Sequence, residues 1–364
     1  MAENESQKTT FVLGSGFSKN SGLPVQSEFA NLLFANDFTS DLDQVITKTL
    51  KEFLNNVFRW SEGDYLPTFE DIFTCIDLSS GKNQNLGIKY DPEALRSIQK
   101  MIIYRVFSVL DRRFSFSEDI KKLLRFFVKP TDEGSDSNFI VLNWDIVLEK
   151  HLMQLGLQSR IDYCCHSYDW INPVDIQQKG IPVCKMHGSS NWVYCKNCKT
   201  LFFDLYRKLS LHTKAGLEKS DIRRFDKTFT KKRFYDALGI SAQDRECRSC
   251  RNMPSTHIVT FSYIKAFDTR IYSSIWGAAE KLLADSNHWV FIGYSLPEAD
   301  YELKHLLKLA QLRYAHRKPL KEKKIDVVVM EDEKAREKFN SFFGKNNISF
   351  YNNGLSEYVQ KVCS

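Results

Sequence analysis

Residues 10–18 read TFVLGSGFS, a short apolar run that ends in a Gly-x-Gly turn. An apolar run of this length bounded by glycine is typical of a buried strand, and a strand, a glycine turn and a helix open an α/β fold. Gly14 and Gly16 carry no side chain, so the backbone could approach a pyrophosphate. A tight turn that binds nothing would explain the same pattern. We expect a helix from about Gln26 to Ala35.

Four more apolar runs follow along the chain, namely 138–142 (NFIVL), 181–186 (IPVCKM), 289–292 (WVFI) and 325–330 (IDVVVM). Stretches with helical periodicity separate them, which predicts an α/β protein with a Rossmann-like parallel sheet covered on both faces. Polar residues or glycines come after each run. Because ligands bind at the carboxyl ends of the strands in open α/β sheets, the sequence predicts a binding crevice there.

A helical insertion is predicted at about residues 40–130, between the first and second core strands. Apolar residues recur there at intervals of three and four, as a helix requires. Thr68 is a predicted N-cap with Asp71 closing a capping box, and 94–114 has the period of a further helix.

Two CxxC pairs predict a small zinc-binding domain at residues 191–255. The rest of the chain, 1–190 and 256–364, is then the Rossmann-like domain. Two such pairs match the tetrahedral thiolate site of structural zinc, although four unligated thiols remain the alternative. The predicted ligands are Cys195, Cys198, Cys247 and Cys250.

Composition favours an ordinary globular protein. The chain has 364 residues, of which 43% are hydrophobic, and a net charge of +6. The first ten residues are polar and no apolar run reaches the length of a membrane span, so we expect a cytoplasmic protein without membrane contact. The densest basic stretches, 223–233 and 313–324, are too short to indicate a nucleic-acid groove.

Polar residues follow three of the predicted strands. Asn143 and Asp145 could project into one cleft, where a carboxylate holds ribose hydroxyls and an amide orients water; capping of the next helix is the alternative. His187 could act as a general base near neutral pH, or be structural. Gly293 and Ser295 suit a phosphate or ribose oxygen, although Ser295 could equally be a helix N-cap.

In order along the chain, the motifs GSGFSxxSGLP, LNWD, KMHG, CxxC…CxxC and GYSLP resemble the sirtuin family from residue 11 to about 332. The resemblance implies a Rossmann-like domain with a small zinc domain, structural zinc, and NAD as substrate. His187 looks like the catalytic base, while Asn143 and Asp145 resemble the pair that faces the nicotinamide ribose. The implied NAD contacts are Gly14, Ser15, Gly16, Ser18, Asp145, Gly293, Ser295 and Glu331.

The sequence departs from the protein deacylases of that family at three places. Their SGIP motif continues into Asp-Phe-Arg, whereas Val25 follows Pro24 here. Trp144 stands where they have isoleucine, and residues 261–263 read FSY where they carry Phe-Gly-Glu, whose segment pairs with the substrate peptide.

These departures, and the helical insert around Phe69-Glu70-Asp71, resemble the bacterial sirtuin-like NAD hydrolases of antiphage defence. That likeness implies an NAD glycohydrolase that forms ADP-ribose and nicotinamide, with Asn143 placing a water and His187 taking its proton. It also implies a homo-oligomer and a separate activating partner, such as a DNA-translocating ATPase. The alternatives are an NAD-dependent protein-lysine deacylase and a nucleotide sensor without turnover.

Overall fold

The computed structural model describes residues 8–34, 38–129, 135–171, 180–230, 232–234, 246–247, 249–260, 262, 270–298, 300–318 and 322–364. The strands are β1 (Thr9–Leu13), β2 (Ser137–Val141), β3 (Ile161–Asp162), β4 (Ser167–Asp169), β5 (Ile181–Lys185), β6 (Gly188–Cys195), β7 (Thr200–Phe203), β8 (Ser255–Ile258), β9 (His288–Ile292), β10 (Lys324–Val328) and β11 (Ile348–Tyr351). The strands form two sheets, and most of the described residues outside the strands are helical.

The helices are α1 (Ser15–Lys19), α2 (Gln26–Leu32), α3 (Asp41–Phe58), α4 (Phe69–Gly81), α5 (Pro92–Arg113), α6 (Glu118–Phe127), α7 (Val147–Gln154), α8 (Leu211–Ala215), α9 (Lys219–Arg223), α10 (Arg270–Asp285), α11 (Tyr301–Arg317), α12 (Glu333–Phe343) and α13 (Gly354–Val362). None of these helices combines the length and apolar character needed to cross a bilayer.

The larger sheet has seven parallel strands in the order β11-β10-β9-β1-β2-β5-β3, which confirms the predicted α/β class. Its central strands are buried along their whole length, as expected of a sheet covered on both faces. Strands β1, β2, β5, β9 and β10 end at the same level. Leu13 is the register partner of Val141 and Ile292, Val141 of Lys185, and Ile292 of Val328. The loops that follow them therefore leave the sheet at one edge.

The helical insertion is confirmed, since α3 to α6 lie between β1 and β2. Thr68 is the N-cap of α4, and its hydroxyl accepts the backbone N–H of Asp71 at 3.1 Å. The side chain of Asp71 accepts the Thr68 hydroxyl at 2.7 Å. Helix α2 ends at Leu32, and the predicted end at Ala35 lies outside the described residues.

The smaller sheet has four strands in the order β4-β7-β6-β8, and it carries the cysteine pairs. Strand β6 begins at Gly188, directly after the predicted catalytic histidine, and ends at Cys195. Strand β4 joins this sheet from before the predicted zinc domain. At three residues, β4 is too short to give a periodic signal in the sequence.

Candidate active site

A cleft of about 1120 Å³, counted out to its open mouth, lies at the carboxyl ends of β1, β2, β5 and β9. Sequence positions more than a hundred residues apart meet there. The predicted site residues that line it are Gly14, Ser15, Ser18, Asn143, Asp145, His187, Gly293 and Ser295. Glu331, which is exposed after β10, does not line the cleft, so its contact with adenosine stays a prediction.

Gly16 supports the cleft from behind, because the turns after β1 and β9 pack backbone against backbone. The Gly16 N–H donates to the Gly293 carbonyl at 3.0 Å, and the Gly14 N–H donates to the Ile292 carbonyl at 3.0 Å. Gly293 has a φ of 63°, in the left-handed region that favours glycine. A Cβ on Gly293 would lie under 3.0 Å from backbone atoms of Gly16.

We expect Gly293→Ala to lower the free energy of unfolding by about 2–4 kcal/mol, because the new Cβ adds backbone strain and a clash. Urea denaturation measures this change. Gly87→Ala is the matched control, since Gly87 has a φ of 69° and nothing within 4 Å of the Cβ position. Equal destabilisation by the two substitutions would contradict close packing of the turns.

Three polar side chains join the loop after β1 to the loop after β2. The Asn143 amide donates to the Gly14 carbonyl and to the Ser18 hydroxyl, both at 2.9 Å. The Ser18 hydroxyl donates to Asp145 Oδ2 at 2.6 Å, and Asp145 Oδ1 accepts the backbone N–H of Val147 at 3.0 Å. Both N–H groups of Asn143 are therefore used within the chain, which leaves its Oδ1 to accept from a water or a sugar hydroxyl.

Asp145 and Ser18 are buried, at 7% and 2% exposed, and their polar atoms bond mainly to each other and to the chain. Their bonds hold the two loops in one arrangement. The sequence had suggested that Asp145 either contacts ribose or caps the next helix. Its Oδ1 accepts the N–H of Val147 at the first residue of α7, but the N-cap of that helix is Ile146, so Asp145 is not the capping residue. The contact with ribose stays a prediction.

His187 lies between the two sheets, and a hydrogen bond holds one of its ring nitrogens. Its Nδ1 lies 3.0 Å from the Leu142 carbonyl oxygen. A carbonyl can only accept, so Nδ1 carries the proton and Nε2 is the ring atom that can take up another. The loop after β2 thus sets the tautomer that a general base requires.

Helix α2 and the helical insertion also contribute to the lining of the cleft. Phe29 on α2, Glu70 on α4, and Val106 and Leu110 on α5 line it. Apolar walls of this kind exclude water from a site. Helical periodicity predicted buried faces for these helices, but it did not indicate that the faces cover a binding cleft.

Trp144 also lines the cleft and joins two distant parts of the chain. Its side chain is buried, and its ring packs edge-on against Phe73 and Phe107. The indole Nε1 donates to the Val259 carbonyl at 3.1 Å, and the Val259 N–H donates to the His187 carbonyl at 2.9 Å. Trp144 therefore ties the loop after β2 to the chain that follows β8.

The segment expected to distinguish this chain from deacylases lies partly outside the described residues. Residues 261 and 263 belong to that part, while Ser262 is buried and lines the cleft with Val259 and Thr260. Asp300 also lines the cleft and accepts the Tyr294 hydroxyl at 3.3 Å. No pattern in the sequence indicated Asp300, which is the N-cap of α11.

A fully buried ion pair lies directly beneath the loop after β2. Lys185 Nζ is 3.4 Å from Glu149 Oε1, and both side chains are 0% exposed. The Lys185 ammonium also donates to the Asp145 carbonyl. Burial raises the pKa of Glu149, and the Lys185 charge opposes that rise. Lys185 thereby fixes the backbone of a residue in the cleft.

The four predicted metal ligands form one cluster, with sulfur atoms within 4.8 Å of one another. The closest pairs are Cys195–Cys250 at 3.3 Å and Cys198–Cys247 at 3.5 Å. Disulfide sulfurs are about 2.05 Å apart, whereas sulfurs around tetrahedral zinc lie about 3.8 Å apart. The donor set and its spacing fit zinc. Four protein ligands leave no open position, so the metal would be structural.

We expect Cys247→Ser to release zinc and lower the Tm by roughly 5–10 °C, because metal binding is coupled to folding of this domain. Metal analysis and thermal denaturation test this. Cys363→Ser is the matched control, since Cys363 is a half-buried cysteine in the C-terminal segment, outside the cluster. Unchanged melting with full zinc content in Cys247→Ser would refute the metal site.

No family model and no curated protein matches the chain. Solved Sir2 structures do align with it along nearly its whole length. "Sir2-p53 peptide-NAD+" is 13% identical, with 99% of this chain and 93% of that chain covered and a TM-score of 0.41. "The Structural basis for Sirtuin Substrate affinity" is 14% identical, with 99% and 93% covered and a TM-score of 0.35. An ADP-ribose complex of a mutant Sir2 homologue is 13% identical, with 98% and 91% covered and a TM-score of 0.43. All three TM-scores are below 0.5, so these likenesses do not identify the function, and the residues of the cleft have to indicate it.

Proposed function

We propose that this chain is a sirtuin-like NAD glycohydrolase, which cleaves NAD to ADP-ribose and nicotinamide. The position of His187 carries the proposal. Its Nδ1 is held by the Leu142 carbonyl, and it shares one cleft with Asn143 and with both glycine turns. A histidine in this tautomer, next to an amide that orients water, suits hydrolysis of an N-glycosidic bond.

The reaction breaks the bond between ribose C1′ and the nicotinamide nitrogen. The bonding pair leaves with nicotinamide, which departs neutral, so the reaction needs no general acid. Water forms the new bond to C1′, and Nε2 of His187 takes the proton that the water loses. The transition state is of the oxocarbenium type, as in other glycoside cleavages, and hydrogen bonds to ribose stabilise it.

The remaining residues of the cleft position the substrate in this proposal. The turns at Gly14 and Gly293 face the diphosphate, and the hydroxyls of Ser15 and Ser295 bind diphosphate or ribose oxygens. Asn143 Oδ1 accepts from the attacking water or from a ribose hydroxyl. The buried pair of Ser18 and Asp145 keeps Asn143 in place, because Ser18 bonds to both of the others.

Trp144 favours water over an acyl-lysine as the acceptor. A deacylase must admit a lysine side chain to the ribose beside its histidine. Here the indole lines the same cleft as His187, and its N–H already bonds to the Val259 carbonyl. In this proposal, an acyl-lysine that enters the cleft at Trp144 would have to displace a buried tryptophan, at a cost of about 3 kcal/mol in lost burial. Water needs no such opening.

We further propose that the enzyme acts in the cytoplasm as an NAD-depleting effector of antiphage defence, as the resemblance of its motifs suggests. In this role it would assemble as a homo-oligomer and respond to an activating partner such as a DNA-translocating ATPase. Size-exclusion chromatography with light scattering tests the first point, and a monomer at all concentrations would contradict it.

An assay of the pure protein with NAD, with and without an acetylated peptide, tests the activity. We expect nicotinamide and free ADP-ribose in equal amounts, at a rate that the peptide does not change. Product that appears only with peptide, together with acetylated ADP-ribose, would identify a deacylase. Binding of NAD without any product would identify a sensor.

A further inference from the structure

A second cavity of about 750 Å³, counted out to its mouth, adjoins the cleft and shares Leu110 and Asp145 with it. Leu23 and two residues of β6, Ser190 and Asn191, line this cavity, but most of its lining comes from three other parts of the chain. They are the C-terminal end of α5, the N-terminal end of α7, and the segment from Arg207 to Lys214 that follows β7. The cleavage reaction proposed above does not use it.

One wall of the second cavity carries a half-buried cation. Lys150, on α7, has its Nζ 3.8 Å from the centroid of the Phe114 ring. In the part of the chain that the structure describes, no carboxylate lies within ion-pair distance of it. The side chain is half-buried, so its ammonium is less hydrated than in water, and this burial lowers the pKa of Lys150. An anion in the cavity would replace that hydration.

Arg207 and Lys214 add two more cations to the lining of the cavity. Lys214 is buried and lies 2.8 Å from Asp204 Oδ2, but Asp204 also accepts the backbone N–H groups of Lys208 and Leu209. The ammonium of Lys214 has three donors, so this bond leaves two of them for a ligand. Arg207 pairs with Asp111 at the mouth, where the arginine side chain is 57% exposed. Exposed pairs of this kind are weak and exchange partners at little cost.

We propose that the second cavity binds a small phosphate-bearing anion through Lys150, Arg207 and Lys214. Phosphate offers oxygens in several directions and about two negative charges, which suits two ammonium groups and one guanidinium that line one cavity. A single carboxylate would leave part of this charge unmatched.

The position of the cavity also links it to catalysis, an extension that rests on the proposed NAD hydrolysis. Lys150 lies one helical turn after Val147, whose N–H holds Asp145 Oδ1. Asp145 in turn holds Ser18, which bonds to Asn143. An anion that draws Lys150 toward the cavity therefore acts on the start of α7 and on the side chains beside the reacting bond. We expect its binding to change kcat.

Calorimetric titration of inorganic pyrophosphate into the full chain, with ADP-ribose present at saturation, tests binding. We expect Lys150→Met to weaken the pyrophosphate affinity at least about tenfold, because a buried charge-assisted bond is lost. Lys48→Met is the matched control, since this lysine is 79% exposed on α3 and removes the same charge without touching the cavity. Arg207→Gln, at the exposed mouth, tests the site independently if Lys150→Met fails to fold.

Equal affinity in Lys150→Met and Lys48→Met, or no binding to the unmodified chain at millimolar pyrophosphate, would overturn the proposal. Steady-state nicotinamide release separates the two sites. Pyrophosphate that competes in the NAD cleft raises KM in every variant, whereas pyrophosphate in the second cavity changes kcat unless Lys150 is replaced. If no variant releases nicotinamide but pyrophosphate binding still depends on Lys150, the NAD hydrolase assignment fails and the anion site stands.

Discussion

Replacing His187 with alanine is expected to lower kcat for nicotinamide release by about 10²–10⁴-fold, because the group that accepts the proton of the attacking water is removed. The fold should be retained. His187 is only partly buried, and its ring bonds to the Leu142 carbonyl at a loop. Steady-state assays of the purified variant with NAD measure the rate, and circular dichroism with thermal denaturation confirms that the protein is folded.

His316→Ala is the matched control for this prediction. His316 is exposed near the C-terminal end of α11 and does not line the cleft, so its loss should leave kcat unchanged. Turnover in folded His187→Ala within a factor of a few of the unmodified enzyme would remove His187 from the mechanism. A rate that falls equally in both variants would point to a general effect on the preparation.

The second large effect is expected from Lys185→Met, which should lower the free energy of unfolding by about 3–5 kcal/mol at neutral pH. The substitution leaves the Glu149 carboxylate buried without its cation, since both side chains are 0% exposed and 3.4 Å apart. It also removes the donor to the Asp145 carbonyl. Urea denaturation measures the loss, and Lys361→Met, at an exposed lysine of a surface pair, should change stability little.

The loss caused by Lys185→Met should depend on pH in a defined direction. Burial raises the pKa of Glu149 above its unfolded value of 4.5. A raised carboxyl pKa contributes stability that is complete below the unfolded pKa and disappears as pH rises through the folded pKa. Without the Lys185 charge the folded pKa rises further, so the variant should lose more stability at pH 8 than at pH 5.

Adding Glu149→Gln to Lys185→Met should restore at least about half of the lost stability, because no charge then remains buried. Denaturation curves of the single and double variants at both pH values make the comparison. Equal loss at pH 5 and pH 8, with no recovery in the double variant, would show that the buried charge is not the cause.

Local patterns were sufficient to predict five of the seven strands of the larger sheet and eight of the residues that line the cleft, whereas the short β3 and β11 gave no apolar run long enough to be recognised. The first strand was predicted at Thr10–Leu13 and begins one residue earlier, at Thr9. The predicted site residues at the strand ends follow directly from such runs, since parallel strands in register bring their ends together. The cysteine spacing likewise predicted a cluster that the structure shows.

Contacts between distant elements could not be predicted in this way. The bond from Trp144 to Val259 joins residues 115 positions apart, and neither residue has a pattern that indicates it. Lys185 lies in one of the motifs, but its partner Glu149 is one of several acidic residues in helices. The walls contributed by Val106 and Leu110 depend on how the insertion packs over the sheet, which periodicity does not determine.

Because β1, β2, β5, β9 and β10 end at the same level of the sheet, the evolution of this protein is constrained in one respect. The segments that join these strands differ greatly in length, yet each begins at the same level of the sheet. They are residues 14–136, 142–180, 186–287 and 293–323. Insertions and deletions in these segments can therefore leave the reacting groups in place. One extra residue inside a strand would instead move the side chains that follow it to the other face of the sheet. Distant homologues of this chain should keep the short motifs at the strand ends, and their order, while chain length and overall sequence identity vary.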